Sequence, residues 1–183
     1  MIILHFVHGL TRTDMLQHEK KPISARLWIY GFLVLSMMAV IFLFSSMPAR
    51  DSSDLSGQIT NFVLHIVYPD YENLTLQEQA GAYQLMHHLI RKAAHFSEYA
   101  LLGVFLALFF NTLTSRFYIF YSFLTAVLYA ISDEWHQSFI EGRGPGVTDV
   151  LIDSAGALTG ILIVFLCMLI KRGITKSKIS HRF

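Results

Sequence analysis

Four apolar runs divide this chain, and they limit what it can fold into more than any other feature. They are Leu27 to about Met47, about Ala93 to Asn111, Phe117 to Ser132, and about Val147 to Ile170. A helix rising about 1.5 Å per residue needs roughly 20 residues to cross a bilayer. Hydrocarbon also leaves no water for unpaired backbone groups, so runs of this kind span as helices. Composition agrees, because 54% of the 183 residues are hydrophobic, a share uncommon in a soluble domain. The expected fold class is all-α: a polytopic membrane helix bundle with about four transmembrane helices and short amphipathic outer helices.

The third run is too short alone. It reaches full length only if Asp133, Glu134, His136 and Gln137 belong to the helix, which then ends near Phe139. The connection from about Ser45 to Arg91 is too long for a bare loop and should carry structure of its own. In it Leu55, Ile59, Phe62, Val63, Ile66 and Val67 recur at helical spacing, which predicts an amphipathic helix on the outer membrane surface or over the bundle. Pro69 to Asn73 reads as a turn. Thr75 and Glu78 stand at capping-box spacing before a second helix that can continue into the second span.

Lys and Arg set the expected orientation. With the N-terminus inside, ten lie in cytoplasmic segments and four (Arg50, Arg91, Lys92 and Arg143) on the outer side, whereas eleven of the thirteen carboxylates fall outside. Both termini are therefore expected in the cytoplasm. The expected divisions are an N-terminal tail over 1–26, a membrane domain over 27–170 and a basic tail over 171–183. The first residues do not resemble a cleavable signal. The net charge of +1 suggests no nucleic-acid partner, and the single Cys167, inside an apolar run, excludes a disulfide framework.

Polar residues then collect at one depth. Lys92, His95 and Tyr99 share a face of the second span, with Glu98 beside them. Asp133, Glu134, His136 and Gln137 end the third. In the fourth, Asp149, Asp153, Gly156 and Gly160 are spaced by four, three and four, a stripe that turns from polar to small. Its "GALTG" is a small-xxx-small pattern that permits close helix approach. Arg143 lies between the third and fourth spans, in "GRGPG". Charge at this depth is expensive in lipid and should be paired or useful.

These residues carry a resemblance. "FLFSSMP" (Phe42 to Pro48), "RKAAHFSEYALLG" (Arg91 to Gly103), "SDEWHQSF" (Ser132 to Phe139) and "GRGPGVTDVLIDSAGALTG" (Gly142 to Gly160) resemble, in order and spacing, the VanZ-like family of small membrane proteins. The resemblance implies a multi-pass protein of the bacterial plasma membrane, in a family whose founding member is associated with lowered susceptibility to the lipid-tailed glycopeptide teicoplanin. The signature positions it implies here are Lys92, His95, Glu98, Tyr99, Asp133, Glu134, Gln137, Arg143 and Asp149. At Asp153 the family frequently carries Asn.

Three readings of the cluster stay open. The polar set can be an outward-facing pocket that binds an envelope lipid, a lipid-linked precursor or a lipoglycopeptide, with Lys92 and Arg143 holding its anionic group. It can be a membrane-embedded hydrolase or group-transfer site, with His95, Glu98 and Glu134 as the catalytic candidates and the cations stabilising negative charge. It can be an ion-paired scaffold that acts through protein partners. A metal variant would draw on His95 with Glu98, Glu134 with His136, and Asp149 with Asp153. No HExxH is present, and the sequence-based expectation is no metal and no other cofactor.

Overall fold

The structure is a computed structural model that describes residues 25–114, 116–144 and 146–180. The expected N-terminal tail lies, up to residue 24, outside the described residues. Five α-helices follow in order: α1 (Ala25–Ser45), α2 (Ala49–Val67), α3 (Leu76–Leu113), α4 (Tyr118–Gln137) and α5 (Val147–Ser180). The all-α expectation holds, and no strand occurs among the described residues.

Three helices, α1, α3 and α5, are long and apolar enough to cross a membrane. The expected count was about four. The difference lies in α4, whose 20 residues match a span in length but end in Asp133, Glu134, His136 and Gln137. Those residues do belong to the helix, as the length argument required, and they lower its apolarity. α4 still packs against both α3 and α5. Large apolar side chains such as Trp28, Phe32, Leu124, Leu128, Leu162 and Leu166 point away from the bundle, as lipid-facing residues should.

α3 is the hub. Its Tyr99, Leu102 and Leu106 pack with Val34, Met37 and Ile41 of α1, Ala126 and Ala130 of α4, and Ala157 of α5. A second cluster joins Ala107 of α3 and Tyr118 of α4 to Ile161 and Val164 of α5. The small-xxx-small stripe of α5 meets α3 directly. A Cβ added to Gly156 would overlap the Phe96 carbonyl, and one on Gly160 the Ala100 carbonyl. Gly103 of α3 answers with the same tightness against the Ala157 carbonyl. Lipid provides no hydrophobic drive between helices, so backbone approach of this kind is a main source of packing energy.

The connection between α1 and the membrane part of α3 is structured. The turn after α2 leads into one turn of 3-10 helix at Tyr71–Asn73. Thr75 then starts α3 with the expected capping box: its N–H donates to Glu78 Oε2 at 2.9 Å, and the Glu78 N–H donates to Thr75 Oγ1 at 3.4 Å. Such a cap contributes about 1 kcal/mol. α3 then runs unbroken for 38 residues, longer than a bilayer requires.

α2 docks on α3, though not by its apolar stripe. Gly57, Thr60 and Leu64 are buried, and a Cβ added to Gly57 would press on the Tyr83 hydroxyl. Ser56 Oγ hydrogen-bonds His87 Nε2 at 2.7 Å. Ile59, Phe62, Ile66 and Val67 face outward instead. The helix thus binds α3 with a small, partly polar face and leaves its apolar face available to lipid.

Candidate functional site

Three helix ends and the middle of a fourth helix build one polar cluster: the C-terminal ends of α1 and α4, the first turns of α5 and the middle of α3. α1 joins through Ser45 and Ser46, which the spacing argument did not single out. Their signal was the hydroxyl pair closing an otherwise apolar run. Ser45 Oγ donates to Asp133 Oδ2 at 2.9 Å, and Gln137 Nε2 donates to the same oxygen at 3.0 Å. Gln137 Nε2 also reaches Ser45 Oγ at 3.2 Å. Asp133, Gln137 and Ser45 are all buried.

Arg143 reaches back from the α4–α5 connection. The chain reverses there through Gly142, whose φ of 75° favours glycine. Arg143 Nη1 donates to Gln137 Oε1 and Nη2 to the Phe44 carbonyl, each at 3.2 Å. Its Nε is buried without a partner. Burial and the neighbouring Arg91 guanidinium lower the Arg143 pKa from its ordinary value, while Asp133, Glu134 and Glu98 oppose that shift. A guanidinium remains charged throughout.

Glu134 takes the role of anion at the N-terminus of α5. Its Oε2 accepts the Gly146 N–H at 2.8 Å, a favourable position for negative charge at a helix start. Asp149 sits in the first turn of the same helix but is ion-paired with Lys92 of α3. Lys92 is thereby committed to a carboxylate within the protein.

His95 lies one turn deeper. Its Nδ1 is 3.7 Å from Asp153 Oδ1, too far for a hydrogen bond. Asp153 is fully buried, and neither of its carboxylate oxygens has a hydrogen-bond partner. Tyr99 is buried beside this group, its hydroxyl facing Asp133 and Asp153. The two histidines do not form a pair. His136 turns to α1, where its Nε2 meets Ser46 Oγ at 3.1 Å and its ring stacks on Phe42.

Beside the cluster is a cavity of about 140 Å³, open on one side. Its polar lining is Arg91, His95, Glu98 and Arg143, together with Ser56 of α2. Its apolar lining includes Phe44, Met47, Ile59 and Ile90. Of the nine positions picked out in the sequence, His95, Glu98 and Arg143 face this cavity. Asp133, Glu134, Gln137 and Tyr99 do not line it, although Gln137 holds Arg143, and Lys92 and Asp149 pair with each other. Arg91 was missed as a site residue. The helical face that grouped Lys92, His95 and Tyr99 excluded it, yet α2 and the end of α1 close over the face where Arg91 lies.

A polytopic α-helical membrane protein, with a polar cluster and an amphipathic cavity at one end of its bundle, is the class this fold and site define. Residues 30–169 match the VanZ/LLP1 family model, and the chain belongs to that family. No curated protein and no solved structure matches it.

Proposed function

We propose that this chain is a bacterial plasma-membrane protein, with both termini cytoplasmic, whose polar end faces outward and binds an anionic envelope amphiphile. The chemistry fits an envelope lipid, a lipid-linked wall precursor or a lipoglycopeptide: a charged head carried on an apolar tail. One observation carries the reading. Two guanidinium groups, Arg91 and Arg143, line the same small cavity as Phe44, Met47, Ile59 and Ile90.

Arginine suits bidentate contact with phosphate or carboxylate. The Nη atoms of Arg143 are held by Gln137 and Phe44, which fixes the group before a ligand arrives, and its Nε donor is unused. Glu98 and His95 complete the polar wall. Ile59 belongs both to the cavity and to the outward apolar face of α2, so a tail has a continuous path from the head site to lipid. The anion-holding role expected of Lys92 passes to Arg91 in this reading, because Lys92 already has Asp149. The bias of Lys and Arg toward the opposite end supports the orientation. The VanZ-like resemblance makes teicoplanin susceptibility the phenotype to examine.

The test uses a deletion strain complemented at matched membrane levels with wild type, Arg91→Ala, Arg143→Ala, His95→Ala or Lys92→Met. Teicoplanin and vancomycin susceptibility are measured beside extracted envelope lipids. The expected result is a wild-type-dependent shift in susceptibility, lost in both arginine variants and kept in Lys92→Met, with unchanged lipid species. A new or missing lipid species that depends on His95 would overturn binding in favour of catalysis. Wild-type behaviour of both arginine variants would reduce the cluster to scaffold.

A further inference from the structure

Behind the cavity wall, three side chains from three helices turn bare polar atoms toward one another. His95 comes from α3, Asp133 from α4 and Asp153 from α5, and one ligand atom of each lies within 4.8 Å of the others. The hydrogen bonds of Asp133 are one-sided. Ser45 and Gln137 both donate to Oδ2, which leaves Oδ1 only the adjacent Tyr99 hydroxyl, a group that makes no hydrogen bond within normal distance. Asp153 is 0% exposed, and both of its oxygens lack a donor. His95 Nδ1 also lacks one. Nearby cations do not fill the need: Lys92 is held by Asp149, and the Nη atoms of Arg143 by Gln137 and Phe44.

Buried carboxylates without donors are strongly unfavourable, and natural proteins pair them or place them on a metal. Two carboxylates and an imidazole are a ligand set for a divalent transition metal. Carboxylate suits harder ions, and imidazole favours zinc and its neighbours over magnesium or calcium. We propose that His95 Nδ1, Asp133 Oδ1 and an Asp153 carboxylate oxygen bind one divalent metal ion, with zinc the best match and manganese next.

The geometry is close to that need. Atoms sharing an ion at about 2.0–2.2 Å each lie no more than about 4.4 Å apart. The His95–Asp153 separation of 3.7 Å is already inside that limit, and closing the set requires shifts of a few tenths of an ångström. The ion would cancel the two buried negative charges and leave the neutral imidazole as third ligand. Ser45 and Gln137 would hold Asp133 in orientation from its other oxygen, a supporting role common around metal ligands. Because His95 also lines the cavity, the ion would stand at the cavity wall. This site does not depend on the amphiphile reading.

The test is metal analysis of the full chain purified in detergent without chelator, then stripped and reloaded with zinc, manganese or magnesium. Glu141→Gln, at an exposed position, serves as the control. The expected result is one equivalent of zinc or manganese per chain, a thermal midpoint lowered by chelator and restored by either ion, and no response to magnesium. Asp153→Asn and His95→Ala should weaken binding by at least about 100-fold, the upper end of what losing a supporting hydrogen bond costs a metal ligand. Folded, monodisperse wild type that takes up no stoichiometric zinc or manganese would overturn the proposal whatever the variants do. So would wild-type affinity in folded Asp153→Asn. Amphiphile binding, measured on the same samples, can fail or succeed separately.

Discussion

Two rungs join α3 to α5, one turn apart, and they have opposite solutions to the same problem. In the upper rung Lys92 meets Asp149, opposite charges with side chains 22% and 26% exposed. In the lower rung His95 faces Asp153, which is fully buried and has no hydrogen bond. The upper rung is electrostatically complete and partly wet, so it behaves like an interfacial ion pair worth about 0–1 kcal/mol. The lower rung is dry and incomplete. Below both, Gly156 and Gly160 bring the backbones into contact and hold the rungs at fixed separation. The contrast separates what stabilises the bundle from what equips it. The glycine contact and the upper rung need nothing further, whereas the lower rung leaves buried polar atoms without partners beside an open cavity.

Breaking the glycine contact should have the largest effect. Gly160→Leu would drive a side chain into the Ala100 carbonyl and is expected to cost about 3 kcal/mol or to prevent folding. Reversible unfolding in mixed micelles reads this directly, and wild-type stability would show that α3 and α5 are not in backbone contact. Asp153→Asn separates the rungs. In chelator it should be at least as stable as wild type, because no buried carboxyl group is left to be desolvated or neutralised there. With zinc present the order should reverse. An identical ranking in both conditions would remove the distinction drawn for the lower rung.

Smaller effects follow at the periphery. Arg143→Ala should weaken amphiphile binding by about 1.5–3 kcal/mol, the range for a charged hydrogen bond. Arg143→Lys should recover only part of that, because lysine offers a point charge where the fork geometry is lost. Equal binding by the lysine variant would make the contact one of charge alone. Lys92→Met is the smallest, at no more than about 1 kcal/mol in stability, and amphiphile affinity should be unchanged. A strong loss of binding there would move the ligand from the cavity to the upper rung.

The fold was largely legible because lipid permits few solutions. Run length located α1, α3 and α5, and capping chemistry at Thr75 and Glu78 located the start of α3. Spacing also found the Gly156–Gly160 stripe, since only small residues at that period allow contact. α4 stands outside the three helices that qualify as crossings on composition because its polar end is helical and lowers its apolarity, although its 20 residues have the length of a span. For α2, periodicity identified a helix but not its docked side, because an apolar face beside a membrane need not face protein.

The site was less legible. Helical faces grouped residues within one helix, but partners across helices depend on rotation and register that sequence spacing does not carry. That is why spacing left Lys92 and Arg143 a choice among Glu98, Glu134, Asp149 and Asp153, which the structure narrows to Asp149 for Lys92, and why Arg91 was passed over. His95 and His136 were placed together by depth alone, and the structure turns them to different neighbours. The one-sided bonding of Asp133 has no sequence signature, since it needs Ser45 from a helix about ninety residues away.

The central claim, that the Arg91–Arg143 cavity holds an anionic amphiphile, is tested most directly by native mass spectrometry. Wild type, Arg91→Ala, Arg143→Ala and Lys92→Met would be released from nanodiscs containing a polyprenyl phosphate and a neutral lipid. The account predicts that wild type and Lys92→Met retain the phosphate lipid over the neutral one, and that each arginine variant loses that preference. Equal retention of both lipids by wild type, or an undiminished preference in both arginine variants, would contradict it.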